Sequence, residues 1–282
     1  MFAWGTRTFI MGILNITPDS FSGDGLMRQQ DVTAAALEQA RRFAAAGADI
    51  LDIGGESTRP GAQPVSAAEE LERVLPVLEA IRTANLGCAL SVDTYKSEVA
   101  EAALAVTPVW INDVWGLRAD PRMAEVAAQA ACPLVLMHNR SKTDNIELRQ
   151  RLGGRFLDSA YQDLIQDVCR ELMESVALAR AAGVKDEALI LDSGIGFGKS
   201  VAHNLELIDR LGEIRALGFP VLLGPSRKSF IGYTLDLPPE ERLEGTAAAV
   251  AVGITRGADI VRVHDVAAML RVARMTDAIV RR

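Results

Sequence analysis

The stretch Gly47-Ala-Asp-Ile-Leu-Asp-Ile-Gly-Gly55 joins the end of one predicted helix to one predicted strand. Gly47 directly follows the helical pattern of Asp31–Ala46, and a glycine there is typical of a helix end. The run Ile50–Ile53 is apolar except for Asp52, which is typical of a strand in a parallel sheet covered on both faces. The predicted unit is therefore a helix, a glycine stop and a buried parallel strand.

The same unit recurs along the whole chain. Runs rich in β-branched residues or leucine, each ending in polar residues or glycine, predict eight strands at Phe9–Ile16, Asp49–Gly55, Cys88–Thr94, Trp110–Gly116, Pro133–Asn139, Ala188–Gly194, Pro220–Ser226 and Asp259–Asp265. Helical spacing predicts eight helices at Asp31–Ala46, Ser66–Ala84, Ser97–Val106, Asp120–Ala130, Phe156–Ala182, Asn204–Leu217, Leu243–Arg256 and Val266–Val280. Gly183, Gly218 and Gly257 mark further helix ends, and Ser66 with Glu69 predicts a capping box.

Eight strand–helix alternations without a break in composition predict an α/β fold with a single (β/α)8 TIM barrel over residues 1–282. A doubly wound open sheet is the competing fold, but eight units in this length favour a closed barrel. In such a barrel the active-site loops lie at the C-terminal ends of the strands. Longer segments follow the first, second and fifth strands at this face, at Thr17–Gln30, Glu56–Val65 and Arg140–Arg155.

Composition excludes several classes of protein. Hydrophobic residues make up 49% of the 282 residues and charged residues 24%, which excludes a disordered chain. The net charge of −7 makes a general polyanion binder unfavourable, so we expect no nucleic-acid partner. Three widely spaced cysteines offer no disulfide framework or paired-cysteine metal site. With no apolar run long enough to span a membrane and no signal-peptide pattern, we expect a soluble cytoplasmic protein.

Polar residues stand at the end of every predicted strand, and these ends meet at one mouth of a barrel. One set of these residues is suited to a small anion, because it offers cations, an amide, a hydroxyl and an imidazole. The set consists of Asn15, Thr58, Lys228, Arg262 and His264. Acceptors and an amide suited to a flat heterocycle rich in N–H groups come from Asp93, Asn112 and Asp192. The residues themselves thus indicate an enzyme that joins a heterocycle to a second molecule with loss of phosphate or pyrophosphate.

Structural interpretations compete at several of these positions. Asp52 is interpreted as a partner for a neighbouring side chain, and Asp113 and Asp265 as candidate caps of the helices that follow. His138 is interpreted as a packed histidine or a ligand, and His203 as a surface or capping residue. Trp110 and Trp115 are interpreted as packing residues. The loop Gly194–Ser200 fits neither phosphate-binding glycine motif, so it predicts only a close approach of the backbone to a ligand.

Eight motifs follow one another along nearly the whole chain: Met11–Ser22, Asp52–Gly61, Ser91–Thr94, Ile111–Asp113, Leu136–His138, Gly194–Lys199, Ser226–Ser229 and Arg262–His264. In sequence and in order, they resemble the motifs of the dihydropteroate synthase family. The resemblance implies a folate-biosynthesis transferase that condenses 6-hydroxymethyl-7,8-dihydropterin pyrophosphate with p-aminobenzoate. The products are 7,8-dihydropteroate and pyrophosphate. It also implies a TIM barrel, a homodimer and a sulfonamide target.

The resemblance further implies a role for each matching residue. The implied pterin-binding residues are Asp93, Asn112, Asp192, Phe197 and Lys228, of which Asp93, Asp192 and Lys228 are the implied catalytic residues. The implied pyrophosphate-binding residues are Asn15, Thr58, Arg262 and His264, with Asn15 also binding Mg²⁺ as cofactor. The implied aminobenzoate-binding residues are Phe21, Thr58, Pro60, Phe197, Lys228 and Ser229.

The chain departs from the family pattern at a few loop positions. Ser193 stands where relatives often have proline, and Ile195 where they often have phenylalanine. The order Gly23-Asp24-Gly25 and the stretch Asn139–Thr143 also differ from the common pattern. Two alternatives share the barrel and the pterin pocket: a pterin-binding methyltransferase and a catalytically inert pterin-binding paralogue.

Overall fold

Eight parallel strands close into a barrel in the computed structural model, which describes residues 2–17, 32–57, 63–142, 146–157 and 160–281. The strands are β1 (Phe9–Asn15), β2 (Ile50–Gly54), β3 (Ala89–Asp93), β4 (Trp110–Asp113), β5 (Leu134–Met137), β8 (Leu189–Asp192), β9 (Val221–Leu223) and β10 (Ile260–Val263). Going round the barrel, β1 pairs with β2 on one side and with β10 on the other. Each of these strands lies inside a predicted strand, so the predicted closed α/β barrel is confirmed.

Helices surround the barrel between successive strands. They are α1 (Val32–Ala45), α2 (Ala67–Ala84), α3 (Ser97–Val106), α4 (Met123–Ala130), α5 (Leu164–Ala181), α6 (Val201–Asp209), α7 (Leu211–Arg215), α8 (Ser229–Leu235), α9 (Leu243–Thr255) and α10 (Val266–Val280). The four predicted glycine stops all have φ between +93° and +102°, which confirms them as helix ends. Ser66 caps α2 by accepting from the backbone N–H of Glu69 at 3.2 Å, which confirms one half of the predicted capping box, while the Glu69 carboxylate accepts from Arg73.

Two helix predictions differ from the structure, and one helix was not predicted. The predicted helix Phe156–Ala182 is wrong at its start, because α5 begins at Leu164 after an Asp163 cap. The preceding residues form an antiparallel hairpin of β6 (Ile146–Arg149) and β7 (Gly153–Phe156). The helix predicted over 204–217 is two helices, α6 and α7, and the seven-residue α8 was not predicted.

The barrel interior changes from apolar to polar along its axis. The apolar layer consists of Phe9, Met11, Ile50, Trp110, Val135, Ile190, Leu222 and Ile260. Because side chains alternate along a strand, the residues two positions further on share this inward face. Those residues include Asp52, Asn112, Asp192 and Arg262, at the carboxyl end of the barrel.

The N-terminal segment packs against the opposite, apolar end. The Phe2 ring meets the rings of Phe9 and Trp110 edge-on, with centroids 4.8 and 5.0 Å apart. Trp4 packs against the same two rings at 5.4 and 6.4 Å. The interpretation of Trp110 as a packing residue is therefore confirmed. Over the described ranges, none of the helices combines the length and the apolar character needed to cross a membrane.

Candidate active site

Parallel register brings three predicted site residues side by side at the carboxyl end of the barrel. Asn15 pairs with Gly54, Gly54 pairs with Asp93, and Asp93 pairs with Asn112. A β-carbon built on Gly54 would lie 3.6 Å from Oδ1 of Asn15 and 3.7 Å from Oδ2 of Asp93. The amide of Asn15 and the carboxylate of Asp93 therefore flank the same small space, which glycine leaves open.

Arg262 connects two carboxylates across the inside of the barrel. Its Nε donates to Oδ2 of Asp52 at 2.5 Å, and its Nη2 donates to Oδ2 of Asp93 at 2.7 Å. Asn112 donates from Nδ2 to the same oxygen of Asp52 at 3.1 Å. The interpretation of Asp52 as a partner for neighbouring side chains is confirmed. Its other oxygen, Oδ1, is buried and has no hydrogen-bond partner among the described residues.

Burial raises the proton affinity of Asp93 and Asp192 in this layer. Burial raises the pKa of Asp93 to about 7, while the positive charge of Arg262 works in the opposite direction. Burial also raises the pKa of Asp192, against the attraction of Lys228. Asp192 accepts a hydrogen bond on Oδ1 from the backbone N–H of Gly194 at 2.7 Å. The layer thus holds two desolvated carboxyl groups within reach of two cations.

Lys228 lies on the other side of this layer, immediately before α8. Its Nζ donates to the carbonyl of Ile195 and lies 4.6 Å from the centroid of the Phe197 ring. A β-carbon on Gly224 would lie 3.9 Å from this Nζ and 3.8 Å from Cβ of Arg262, so both side chains border the same space. Burial lowers the pKa of Lys228 to about 8, although Asp192 favours the charged form. The two positive charges are close enough that Arg262 helps to lower the pKa of Lys228.

The glycine-rich loop after β8 approaches protein rather than open space on one side. Gly194 has φ +69°, and a β-carbon there would lie 1.8 Å from the carbonyl oxygen of His138. Gly198 has φ +63°, and a β-carbon there would lie 2.3 Å from the carbonyl carbon of Arg140. Side chains are excluded at both positions because the loop packs directly on the backbone that follows β5.

His138 is a buried, hydrogen-bonded histidine. Its Nε2 lies 3.0 Å from a carboxylate oxygen of Glu171, and its Nδ1 lies 2.9 Å from Nζ of Lys199. Burial, reinforced by the charge of Lys199, lowers the pKa of His138 to about 3, so the imidazole is neutral. Of the two interpretations of His138, the packed one describes these contacts. Glu171 had no signal in the sequence, since it is one acidic residue among several in α5.

The candidate helix caps behave differently from one another. Asp113 accepts from the N–H groups of Trp115 and Leu117 at 2.8 and 2.7 Å, so it shapes the loop after β4 instead of capping α4. Asp265 makes no side-chain cap and binds Arg227 through both carboxylate oxygens. His203 lies in the first turn of α6 and completes a capping box with Ser200, so its capping interpretation is confirmed.

The remaining site predictions fall at the same rim or outside the described residues. His264 directly follows β10, and its Nδ1 lies 3.0 Å from Oγ of Ser226. Ser229 is the first residue of α8, next to Lys228. The predictions for Phe21, Thr58 and Pro60 lie outside the described residues.

Gly55 and Glu56, directly after β2, are held by charged side chains that were not predicted from the sequence. Lys96 donates to the carboxylates of both Glu56 and Glu70. The Tyr95 hydroxyl donates to Glu56 at 3.0 Å, and Arg73 donates to the carbonyl of Gly55 at 2.7 Å. These contacts fix the residues that leave the Gly54 end of β2.

Comparison with known proteins agrees with this geometry. The family described as pterin binding enzyme matches residues 11–264. A dihydropteroate synthase of Bacillus subtilis is 50% identical over 96% of this chain and 88% of its own length. The chain belongs to the dihydropteroate synthase family. Its relative in Clostridium beijerinckii is 48% identical over 99% of this chain and 96% of that protein.

Solved structures of the dihydropteroate synthase family share the fold throughout. The Clostridium difficile enzyme, crystallised in the presence of pteroic acid, has a TM-score of 0.90 at 45% identity, with 100% of both chains covered. The Xanthomonas albilineans enzyme with 4-aminobenzoic acid has a TM-score of 0.87 at 41% identity, covering 98% of this chain and 94% of that one. The family that the eight motifs resemble is therefore confirmed.

Proposed function

We propose that this chain condenses 6-hydroxymethyl-7,8-dihydropterin pyrophosphate with p-aminobenzoate, giving 7,8-dihydropteroate and pyrophosphate for folate biosynthesis. The observation that carries the proposal is the polar layer at one end of the barrel. There, Asp93, Asn112 and Asp192 lie beside Lys228 and Arg262 in a chain 50% identical to a dihydropteroate synthase. Acidic acceptors and basic groups at one mouth fit a substrate that is an N–H-rich ring at one end and a diphosphate at the other.

The pterin is proposed to bind through its amino-pyrimidine edge. Asp93 and Asp192 would accept from ring N–H groups, and Asn112 supplies an amide in the same layer, oriented by its bond to Asp52. Hydrogen bonds to a charged group are worth roughly 1.5–3 kcal/mol each. Because burial raises the pKa of both carboxyl groups, a ligand that donates to them would favour their ionised forms.

The same carboxylates would stabilise the transition state. Departure of pyrophosphate leaves positive charge on the pterin, so fixed negative charge beside the ring stabilises that state more than the intact substrate. Lys228, with its amine over the Phe197 ring, would stand between the pterin and the aminobenzoate. Aminobenzoate is a weak neutral nucleophile, so exclusion of water by closing loops would protect the cation. Phe21 and Pro60 are the residues proposed for those loops.

The diphosphate is proposed to bind at Arg262, His264, Thr58 and Asn15. Within the described part of the chain, Arg262 uses Nε and Nη2 to hold Asp52 and Asp93, and we propose that Nη1 donates to the diphosphate. The amide oxygen of Asn15 is the kind of donor that Mg²⁺ binds together with substrate phosphates and water. Asn15 therefore fits the proposed metal, although the described residues contain no cluster of three acidic, histidine or cysteine ligands. When bound, Mg²⁺ would neutralise charge on the leaving diphosphate.

A product assay tests this function. Purified protein is incubated with the dihydropterin pyrophosphate, p-aminobenzoate and Mg²⁺, and dihydropteroate is measured by mass spectrometry. We expect product from the wild type and the loss of most turnover in Lys228→Ala. Binding of the dihydropterin without any product would instead identify an inert paralogue. Methyl transfer from methyl-tetrahydrofolate to a corrinoid protein would identify a methyltransferase.

A homodimer, sensitivity to sulfonamides and a cytoplasmic location are proposed together with this function. Support for them comes from the resemblance to the family and, for the sulfonamide, from a Yersinia pestis dihydropteroate synthase solved in a sulfonamide complex. Light scattering on the purified chain measures the oligomeric state. Adding a sulfonamide to the product assay measures the sensitivity.

A further inference from the structure

Lys199 ends the glycine-rich loop Gly194–Lys199, and only 2% of its surface is exposed. Its Nζ donates to the carbonyls of Gly194 at 2.9 Å and of Phe197 at 3.0 Å. Its third N–H is shared between Nδ1 of His138 at 2.9 Å and the carbonyl of the same residue at 3.3 Å. One buried amine therefore ties the loop after β8 to the end of β5.

The imidazole that faces Lys199 is itself held in one orientation. Because His138 is neutral, a single ring nitrogen carries a proton. Nε2 faces the carboxylate of Glu171, so the proton belongs on Nε2 and leaves Nδ1 to accept from Lys199. Arg140 holds Glu171 through Nε at 2.9 Å. Burial would raise the pKa of Glu171, but the hydrogen bonds from His138 and Arg140 keep it below its usual value.

The loop that Lys199 fixes in turn contacts two proposed pterin ligands. The carbonyl of Ile195 accepts from Nζ of Lys228, and the Phe197 ring lies under that amine. The N–H of Gly194 donates to Asp192 at 2.7 Å. A change in the position of this loop would therefore move both the cation and one carboxylate of the site.

We infer that Lys199 is a positioning residue, whose buried amine holds the Gly194–Lys199 loop so that Lys228 and Asp192 are oriented to bind the pterin. The inference rests on the proposed function, which makes Lys228 and Asp192 pterin ligands. Removing the amine takes this donor from the carbonyls of Gly194, Phe197 and His138, of which the bonds to Gly194 and His138 are buried, and such groups are expected to rearrange. Lys199 acts through the loop and makes no contact with substrate in this account.

The variant Lys199→Met keeps a long apolar side chain and removes the N–H donors. We expect kcat/KM for the dihydropterin substrate to fall about 100-fold, as when a reacting group is displaced by about 1 Å. A large part of the loss should appear in KM for the dihydropterin substrate. Lys185→Met makes the same change at an exposed lysine before β8, so it is the matched control and should keep wild-type kinetics.

A double-mutant cycle with Lys228→Ala separates positioning from a general loss of stability. Each variant is titrated with the dihydropterin substrate without aminobenzoate, which yields dissociation constants even where turnover is lost. We expect Lys199→Met to weaken substrate binding strongly when Lys228 is present and much less in the Lys228→Ala background. Equal effects in the two backgrounds, or wild-type binding by Lys199→Met, would overturn the inference.

Lys199→Gln keeps an amide donor in a shorter side chain and is expected to show the same pattern more weakly. If Lys199→Met does not fold, the cycle is run with this variant and the same two outcomes decide. The proposed function is judged separately, by product formation in the wild type and in Lys185→Met. A wild type without product rejects that function, whereas the cycle is read from pterin binding alone.

Discussion

Single side chains in the polar layer have charges that depend on their burial and on one another. Lys228 and Arg262 are neighbours, yet Asp93, Asp192 and Asp52 balance them inside the barrel. The residue types were predictable, because polar groups at the ends of parallel strands must meet at one mouth. The pairing of Arg262 with Asp52 and Asp93 was not predictable, since it depends on how far each side chain reaches across the barrel.

The pH dependence of turnover should report the charge of Lys228. Its pKa is lowered to about 8 by burial, so the ammonium form is lost as the pH rises through that value. We expect kcat/KM to decline above about pH 8 in the wild type. Lys228→Arg stays protonated over this range, so its residual activity should lack that decline. The same alkaline decline in the arginine variant would show that another group is responsible.

Asp192→Asn tests the carboxylate on the other side of the site. The change keeps the shape of the side chain and removes its charge, so pterin binding should weaken by roughly 1–3 kcal/mol. Isothermal titration with the dihydropterin substrate measures this difference. Asp186 lies before the same strand, is about half exposed and pairs with Arg180. The matched control is therefore Asp186→Asn, which should bind the substrate like the wild type. Unchanged affinity in Asp192→Asn would remove this residue from the pterin site.

The sequence pattern predicted the strands of the barrel but not those of the hairpin. Most of the barrel strands, such as β2 and β8, are largely apolar runs buried on both faces, so the residue types along each run predicted them. Ile146–Arg149 alternates apolar and polar residues over only four positions, which is too short to indicate a strand by itself. Gly153–Phe156 begins with two glycines and has no such alternation. Tertiary contacts hold this hairpin: Tyr233 donates to the carbonyl of Gly153 at 3.1 Å, and Arg242 donates to that of Leu152 at 3.0 Å.

Arg242 is a buried guanidinium that joins three connections near Lys228. It donates to the carbonyls of Leu237, Arg227 and Leu152 at 3.1, 3.0 and 3.0 Å. Gly232 must lack a side chain here, because a β-carbon would lie 2.1 Å from Nη2 of Arg242. The hairpin turn, the residue before Lys228 and the end of α8 are therefore held by a single side chain.

Replacing Arg242 should lower the stability of the fold, because its hydrogen bonds are buried or partly buried in the protein. In Arg242→Met, one buried and two partly buried carbonyls lose their donor, and the free energy of unfolding should fall by about 3 kcal/mol. Arg256→Met is the control, because Arg256 is half exposed and its pairing with the exposed Asp209 is worth at most about 1 kcal/mol. Urea denaturation followed by circular dichroism measures both variants. Equal losses in the two would contradict this role for Arg242.

The two ends of the barrel differ in what their residues do: one end is packed with aromatic rings, and the other holds the charged groups of the candidate site. The aromatic cluster of Phe2, Trp4, Phe9 and Trp110 closes the amino end of the strands. The charged layer lies at the carboxyl end, where barrel enzymes place their active sites. The closed topology was predictable from the eight repeated units, whereas the packing of the N-terminal segment over the barrel was not.

Trp4→Ala tests this separation. Loss of the indole from the aromatic cluster should lower the free energy of unfolding by about 2 kcal/mol, while kcat/KM stays at the wild-type value. Leu178→Ala, on the exposed side of α5, is the control and should change neither quantity. Thermal unfolding and steady-state kinetics on the same preparations measure the two effects. Loss of activity in a Trp4→Ala protein that is still folded would show that the two ends are coupled.

The central claim is that one end of the barrel holds the pterin by its carboxylates and the diphosphate by its cations. A crystal structure of the protein with the dihydropterin pyrophosphate bound tests it most directly. We predict the amino-pyrimidine edge within hydrogen-bond distance of Asp93, Asn112 and Asp192, with the diphosphate on Arg262 and His264. A pterin bound elsewhere, or bound with its diphosphate away from Arg262, would contradict the account.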